Sequence, residues 1–205
     1  MVFVEDESDA AVIAASLSEP CRFGTIFERH VTVLHRYLVR RLGPDEAEGI
    51  VGEVFRIAFE KRDRYDLARP LARPWLYGIA TNLVAKHRRR EARRLRAVAR
   101  LAAQRRLPVE EDPADPVSAD VDASGEWQRV AAAVMALPPP ERDALILHVW
   151  ESLSYEDVAA ALDIPVGTVR SRLHRARARL REPASACGGQ DNDSVDTGAP
   201  GRMES

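Results

Sequence analysis

An acidic, proline-rich segment interrupts this chain near its middle. Residues 107–124 read LPVEEDPADPVSADVDAS, with three prolines, six acidic residues and no basic residue. Proline ends helices, and a stretch with so few large apolar side chains cannot bury enough surface to fold by itself. The segment predicts a flexible acidic linker between two folded parts, residues 22–106 and residues 125–182.

The two ends of the chain also differ in composition from the folded parts. Residues 1–21 hold five acidic residues and no basic one, which predicts a flexible acidic arm. Residues 183–205 are mostly Gly, Asp, Ser and other small or polar residues, which predicts a disordered tail. The total length of 205 residues suits two small domains.

Both folded parts carry apolar residues at the three- and four-residue spacing of amphipathic helices. The predicted helices cover about residues 24–42, 45–59, 74–106, 124–137, 140–150, 154–162 and 166–180. No alternating strand pattern is visible. We therefore expect an all-α fold, with two small helical domains joined by the acidic linker.

The composition argues against several classes of protein. The longest apolar runs are far shorter than the ~20 residues of a membrane span, so no stable membrane insertion is expected. The acidic N-terminus does not resemble a signal peptide. Two cysteines and five scattered histidines predict no disulfide framework, metal site or cofactor. The expected compartment is the cytoplasm, and no catalytic constellation suggests an enzyme.

Positive charge is concentrated in the first folded part. Residues 22–106 hold 21 Lys and Arg against nine Asp and Glu, which is typical of a polyanion-binding surface. Aromatic and basic residues alternate within YDLARPLARPWLYGIATNLVAKHRRR, residues 65–90. Proteins that bind single strands stack bases on aromatic rings while basic side chains contact phosphates. The candidate residues for such binding are Tyr65, Trp75, Lys86, Arg88 and Arg89.

The second folded part contains the pattern of a helix-turn-helix. SYEDVAAALDIPVGTVRSRLHRARARL is a short helix, a tight turn at residues 163–165 and a second amphipathic helix. The face opposite Val169 and Leu173 presents hydrogen-bonding side chains, as a helix that reads the major groove should. The candidate residues for this contact are Thr168, Arg170, Ser171, Arg172, His174 and Arg175.

These motifs resemble the extracytoplasmic-function class of bacterial RNA polymerase sigma factors. FERHVTVLHRYLVRRLGPDEAEGIVGEVFRIAFEKRDRYD is similar to region 2.1–2.2 of that family, and RPWLYGIATNLVAKHRRR to region 2.3–2.4. LPPPERDALILHVWESLSYEDVAAALDIPVGTVRSRLHRARARLRE is similar to region 4. The resemblance covers about residues 23–182, in the order and spacing of the family.

The resemblance implies a non-enzymatic subunit that directs RNA polymerase to promoters. Its implied partners are the β′ and β subunits of core RNA polymerase, promoter DNA and an anti-sigma factor. The helix-turn-helix residues would read the minus-thirty-five element. Asn82 would lie beside the minus-ten strand, while Tyr65 and Trp75 lie in the region implicated in melting. Glu48, Glu53 and Phe55 would lie on the helix that binds the β′ coiled coil of the polymerase.

Some positions depart from the family pattern. Gly49 and Gly52 stand where the family usually has Asp and Gln, which predicts weaker polymerase contacts and a less stable helix. Gly78 and Thr81 replace a commoner pattern before Asn82, and Lys86 stands where Asp is frequent. These changes leave the minus-ten sequence preference open.

Two other functions fit part of the sequence. A polymerase-independent helix-turn-helix regulator would explain residues 127–182 but not the basic aromatic stretch in the first part. The second alternative, from another class, is a helical RNA-binding or adaptor protein. DNA binding in the absence of core polymerase would identify the first alternative. Preference for single-stranded RNA over promoter DNA would identify the second.

Overall fold

The computed structural model describes residues 7–105 and 125–181, and every regular element in these two ranges is helical. The α-helices are α1 (Asp9–Ala15), α2 (Gly24–Leu42), α3 (Pro44–Glu60), α4 (Arg73–Arg105), α5 (Gly125–Ala136), α6 (Pro139–Val149), α7 (Tyr155–Leu162) and α8 (Val166–Arg181). The all-α prediction is confirmed. The predicted linker at 107–124, the predicted tail at 183–205 and residues 1–6 of the predicted arm lie outside the described residues.

Helices α2 and α3 form a pair joined by a single sharp bend. Gly43 has a φ of 89°, a backbone conformation that favours glycine, and Pro44 begins α3 where its missing N–H costs nothing. Leu34, Leu38 and Val54 from the two helices are fully buried. The sequence predicted α2 with the same bounds, because its apolar stripe is uninterrupted and the Gly-Pro pair marks its end.

Helix α4 packs against this pair through its first half. Leu76, Tyr77 and Val84 are fully buried there, and the hydroxyl groups of Tyr37 and Thr81 lie 2.8 Å apart in a hydrogen bond. The rings of Tyr37 and Tyr77 meet edge to face, with centroids 5.1 Å apart. From Ala92 to Arg100, by contrast, the side chains of α4 are exposed.

The N-terminal segment differs from its prediction as a flexible arm. Residues 9–15 form α1, with the Ser8 hydroxyl accepting the Ala11 N–H at 3.2 Å as an N-cap. Val12 and Ile13 are almost completely buried against the first part of the chain. The sequence-based prediction relied on the number of acidic residues and overlooked a short apolar run between them, which packs into the core.

The second part folds as the predicted helix-turn-helix. The Ser154 hydroxyl accepts the Asp157 N–H at 3.0 Å, as its capping motif predicted. Asp163 takes a left-handed conformation, with φ of 52°, and ends α7. Helix α8 buries Val169, Leu173 and Ala176, which is the face that its periodicity indicated.

The two parts pack against each other through α4 and α7. Gly78 of α4 lies so close to α7 that a Cβ atom there would be 2.5 Å from the carbonyl oxygen of Ala161. Beside this contact, the buried Glu151 carboxylate accepts hydrogen bonds from Arg40 and from the Tyr77 hydroxyl. Arg73 donates to the Glu151 carbonyl oxygen at 2.7 Å, and Arg41 pairs with Asp143. Sequence analysis indicated two helical parts but gave no indication of this interface.

We predict that Gly78→Ala separates the two parts while stabilising α4 itself. Alanine improves the propensity of a helix interior by about 1 kcal/mol, but its Cβ would collide with the backbone of α7. Small-angle X-ray scattering should therefore give a larger radius of gyration for the variant. The control is Gly49→Ala, since a Cβ at Gly49 meets no atom within 4 Å. An unchanged radius for Gly78→Ala would contradict the tight contact.

Candidate nucleic-acid interface

Helix α8 presents part of its predicted DNA-reading face to solvent. Arg170 and His174 are exposed and lie four residues apart, so they share one side of the helix. Thr168, Ser171 and Arg172 are half-buried, and the Ser171 hydroxyl donates to the Thr168 carbonyl oxygen at 2.9 Å. Arg170 and His174 are therefore more accessible to a base edge than the three half-buried side chains.

Arg175 is held by a carboxylate from a neighbouring helix. Its Nε atom lies 3.1 Å from Oε1 of Glu141 on α6, and the Nε atom of Arg179 lies 3.0 Å from Oε2 of the same residue. The Glu141 side chain is 9% exposed, so this carboxylate needs the two arginines as partners. Arg175 thus stabilises the junction of α6 and α8, a role that the helical face alone did not reveal.

Tyr65 and Trp75 come together at the side of a cleft. Their ring centroids are 5.0 Å apart, and Trp75 is half-buried while Tyr65 is 7% exposed. The Tyr65 hydroxyl donates to the Arg69 carbonyl oxygen at 2.6 Å. Burial, with the nearby carboxylates of Asp9 and Asp66, raises the pKa of Tyr65 to about 12. The phenol is therefore neutral at physiological pH and serves to hold the loop.

The cleft beside these rings has a volume of about 390 Å³. That volume lies within the ~300–1,000 Å³ range of small-molecule sites. Its lining combines basic, acidic and aromatic side chains from both parts of the chain: Arg64, Tyr65, Asp66, Arg69, Pro74, Trp75, Ala160 and Asp163. Because Ala160 and Asp163 belong to the second part, the contact between the two parts closes one side of the cleft.

The remaining candidates of the first part separate into two groups. Asn82, Lys86 and Arg89 are exposed on α4, and Asn82 and Lys86 share one face. Arg88 instead turns inward and donates to the Arg41 carbonyl oxygen at 3.0 Å. Burial, together with the positive charges of Arg142 and Arg41, lowers the pKa of Arg88 to about 10. Arg88 is still charged at neutral pH, but it faces the second part of the chain.

The predicted polymerase-binding residues on α3 also differ in accessibility. Glu48 is exposed, whereas Glu53 is half-buried and binds Arg56 through two hydrogen bonds, of 2.8 and 2.6 Å. This pairing lowers the pKa of Glu53. Phe55 is 6% exposed and packs its ring on Phe27, with centroids 4.8 Å apart. Phe55 is therefore a core residue in this arrangement.

A groove runs between α2 and α3 next to Glu48. Its volume is about 490 Å³, and its lining is largely apolar: Phe27, Val31, Thr32, His35, Glu48, Val51 and Gly52. A Cβ atom at Gly49 or Gly52 would meet no other atom within 4 Å. The two glycines thus leave open space along the exposed side of α3 and are required by no contact in the described residues.

Sequence reasoning missed Asp9, Gly78 and Glu151. Asp9 and Glu151 read as ordinary acidic residues, yet both carboxylates are buried and hold several donors. Gly78 could have been recognised from the sequence, because a glycine inside a helix lowers its stability and therefore suggests that another backbone approaches closely. Its partner in the second part could not have been named from the sequence.

The described residues contain no group of three or more His, Cys, Asp or Glu side chains that could hold a metal ion. Within the same ranges, no helix is both long and apolar enough to cross a membrane.

Comparison with known families gives two matches along this chain. Residues 26–94 match the Sigma-70 region 2 family, and residues 127–180 match the Sigma-70 region 4 family. The first match covers α2, α3 and most of α4, whereas the second covers the helix-turn-helix. The fold and the two matches define a helical protein of the sigma type.

The chain is similar in sequence to several named sigma factors. The chain is 32% identical over 174 residues to the ECF RNA polymerase sigma factor SigL of Mycobacterium tuberculosis, covering 84% of this chain and 94% of SigL. It is 32% identical over 164 residues to SigW of Bacillus subtilis, covering 78% and 87%. It is 33% identical to SigE of Mycolicibacterium smegmatis over 158 residues, which are 77% of this chain but 59% of SigE.

Two solved structures are similar to this chain in fold. The sigma factor RpoE of Bartonella quintana, solved in complex with the anti-sigma factor NepR, is 26% identical with a TM-score of 0.56, covering 79% of this chain and 96% of RpoE. CnrH, solved with the cytosolic domain of CnrY, is 27% identical with a TM-score of 0.56, covering 84% and 94%. The chain belongs to the extracytoplasmic-function (ECF) family of RNA polymerase sigma factors.

Proposed function

We propose that this protein is a dissociable, non-enzymatic subunit that directs core RNA polymerase to a set of promoters in the cytoplasm. The observation that carries the proposal is the joint presence, in one chain, of an exposed basic helix-turn-helix face and an aromatic, arginine-lined cleft. A duplex reader and a single-strand site together suit a protein that both locates and opens DNA. The family membership of the chain supports the same function.

In this proposal α8 reads the minus-thirty-five element in the major groove. Arg170 and His174 are the exposed candidates for base contacts, while Thr168, Ser171 and Arg172 are candidates for the adjoining backbone and base edges. Arg175 and Arg179 orient α8 through Glu141. Exposed arginines farther along the helix, Arg177 and Arg181, add attraction to phosphates.

The first part would capture unpaired bases of the minus-ten strand. Extruding a base from the duplex costs a few kcal/mol, and stacking on an aromatic ring returns about 1–3 kcal/mol per base. Trp75 supplies an accessible ring at the cleft, and Arg64 and Arg69 supply exposed positive charge beside it. Asn82, Lys86 and Arg89 would follow the strand along α4. Arg88 and Tyr65 would contribute through the structure of the site.

Promoter binding in this proposal requires the two parts to move apart. Two elements centred about 25 base pairs apart are separated by about 85 Å along the duplex, at 3.4 Å per base pair. The parts contact each other directly through Gly78 and Ala161, so they cannot reach both elements in this arrangement. Core polymerase is the proposed partner that holds the parts at the required separation, with α3 and the neighbouring groove as the β′-binding surface and the second part near β.

An anti-sigma factor is the proposed regulatory partner. The sigma factor RpoE, which is similar to this chain in fold, was solved in complex with the anti-sigma factor NepR. A partner that bridges the two parts would keep them in contact and prevent them from reaching both promoter elements together. No cofactor or metal is needed for any step of the proposed function.

The proposed function is tested by run-off transcription with purified core polymerase. Genomic templates should give discrete transcripts only when the chain is added, and sequencing of their start sites should reveal a shared pair of upstream elements. Specific DNA binding by the chain in the absence of core polymerase, without discrete starts in its presence, would instead indicate a polymerase-independent regulator. Preferential binding of single-stranded RNA would indicate the RNA-binding alternative.

We expect Arg170→Ala and Arg175→Ala to act differently on the protein. Arg170→Ala should weaken binding of holoenzyme to a minus-thirty-five duplex by about 1–3 kcal/mol without changing thermal stability, because its side chain is exposed. Arg175→Ala should instead lower the free energy of unfolding, by up to about 1 kcal/mol, because Glu141 loses one of its two arginine partners. Fluorescence anisotropy and thermal melting measure the two effects. Equal melting temperatures with equal DNA affinities in both variants would contradict the assignment.

Restoring the usual family residues on α3 should tighten polymerase binding. Gly49→Asp and Gly52→Gln each replace a glycine that has open space around it, so no steric cost opposes them. Each also removes a helix-interior glycine, which stabilises α3 by a few tenths of a kcal/mol. Titration of core polymerase with labelled variants should give a lower Kd than wild type. The control pair is Gly49→Ala and Gly52→Ala, and equal gains in both pairs would assign the effect to helix stability alone.

A further inference from the structure

Helix α1 lies outside the part of the chain that matches the region 2 family, yet it contacts both ends of the loop that forms the cleft. Before the loop, Nε of Arg62 donates to the carbonyl oxygen of Ser16, the residue that caps the end of α1, at 3.4 Å. Near the end of the loop, the Ala10 N–H donates to the Pro70 carbonyl oxygen at 3.3 Å. The loop of residues 65–72 is therefore bracketed by a short helix that belongs to none of the functional motifs.

Asp9 is the centre of this arrangement. Its carboxylate is 5% exposed, and Oδ2 accepts the Ala72 N–H at 2.9 Å and lies 2.8 Å from Nε2 of His30. Oδ1 accepts from Arg29 at 3.0 Å. Burial by itself would raise the pKa of Asp9, but the His30, Ala72 and Arg29 contacts together lower it to about 2. The side chain is thus a carboxylate at every physiological pH.

The hydrogen bond to Ala72 fixes the point at which the loop enters α4. Ala72 is completely buried and directly precedes Arg73, the first residue of α4. Pro74 and Trp75 of the cleft follow in the first turn of that helix. The other wall of the cleft, Tyr65 to Arg69, is closed on itself by the Tyr65 hydroxyl and by the Asp66 side chain, which accepts the Ala68 N–H at 3.1 Å. Asp9 therefore fixes the position of one wall of the cleft relative to the other.

We propose that Asp9 is a positioning residue for minus-ten strand capture: it holds the loop of residues 65–72 against α1, so that the walls that the first part contributes to the cleft are preformed. This inference rests on the proposed function of the cleft. A loop that is already ordered loses little conformational entropy when a base enters, so removal of the carboxylate should weaken capture of single-stranded DNA. Asp9 itself does not line the cleft.

The test uses holoenzyme assembled from core polymerase and the full chain, with a promoter mapped by run-off transcription. Asp9→Ala should lower affinity for the single-stranded non-template minus-ten oligonucleotide by about tenfold, since it leaves the buried Ala72 N–H without its acceptor. Affinity for a minus-thirty-five duplex and for core polymerase should stay within twofold of wild type. Asp9→Asn keeps an acceptor oxygen for Ala72 and should recover most of the lost affinity. Glu28→Ala, which removes an exposed acid next to Arg29, is the matched control and should behave as wild type.

Each result has a distinct meaning. Wild-type affinity of Asp9→Ala for the single strand would overturn the positioning role and leave the proposed function intact. Parallel losses of single-strand, duplex and core binding would also overturn it, because they indicate general destabilisation. The melting temperature of each variant, measured beforehand, sets an assay temperature at which all are folded. Failure of the wild-type holoenzyme to bind the oligonucleotide, with no discrete transcripts, would overturn the proposed function and with it the role of Asp9.

Discussion

The packing of α4 between two sets of helices is the constraint on which the rest of this structure depends. Its first half buries large side chains against α2 and α3, and small residues against α7. A glycine in a helix interior costs about 1 kcal/mol in propensity, and here the close approach of the Ala161 backbone requires one. Both the cleft and the interface between the two parts take their geometry from this one helix.

Buried carboxylates organise much of the positive charge that the sequence displays. The buried Asp9 and Glu151 and the half-buried Asp143 bind arginines of the first part, among them Arg29, Arg40 and Arg41. The excess of basic residues in residues 22–106 therefore overstates the surface available to DNA. The accessible basic surface lies on the exposed second half of α4 and along α8, which are the helices that the proposed function assigns to nucleic acid.

Helix type and approximate bounds could be predicted from the sequence, because apolar spacing and Gly-Pro or Ser caps are local signals. The same spacing could not assign Phe55, Arg88 and Arg175, because the groups that hold these three side chains belong to other helices. Helix α1 was missed because seven residues give too short a stripe beside an acid-rich flank. Glu151 was missed because its partners lie 74 and 111 residues away in the chain.

The cleft and the contact between the two parts are coupled by shared residues. Pro74 and Trp75 line the cleft from α4, while Ala160 and Asp163 line it from the end of α7, one helical turn or less from Ala161 at the Gly78 contact. Separation of the two parts therefore removes one wall of the cleft and exposes Trp75 further. A base that stacks on Trp75 from that side would occupy space that the second part now fills. Contact between the two parts should therefore weaken single-strand capture, and single-strand capture should favour separation of the two parts. A partner that shifts one of these equilibria, such as polymerase or an anti-sigma factor, would shift the other.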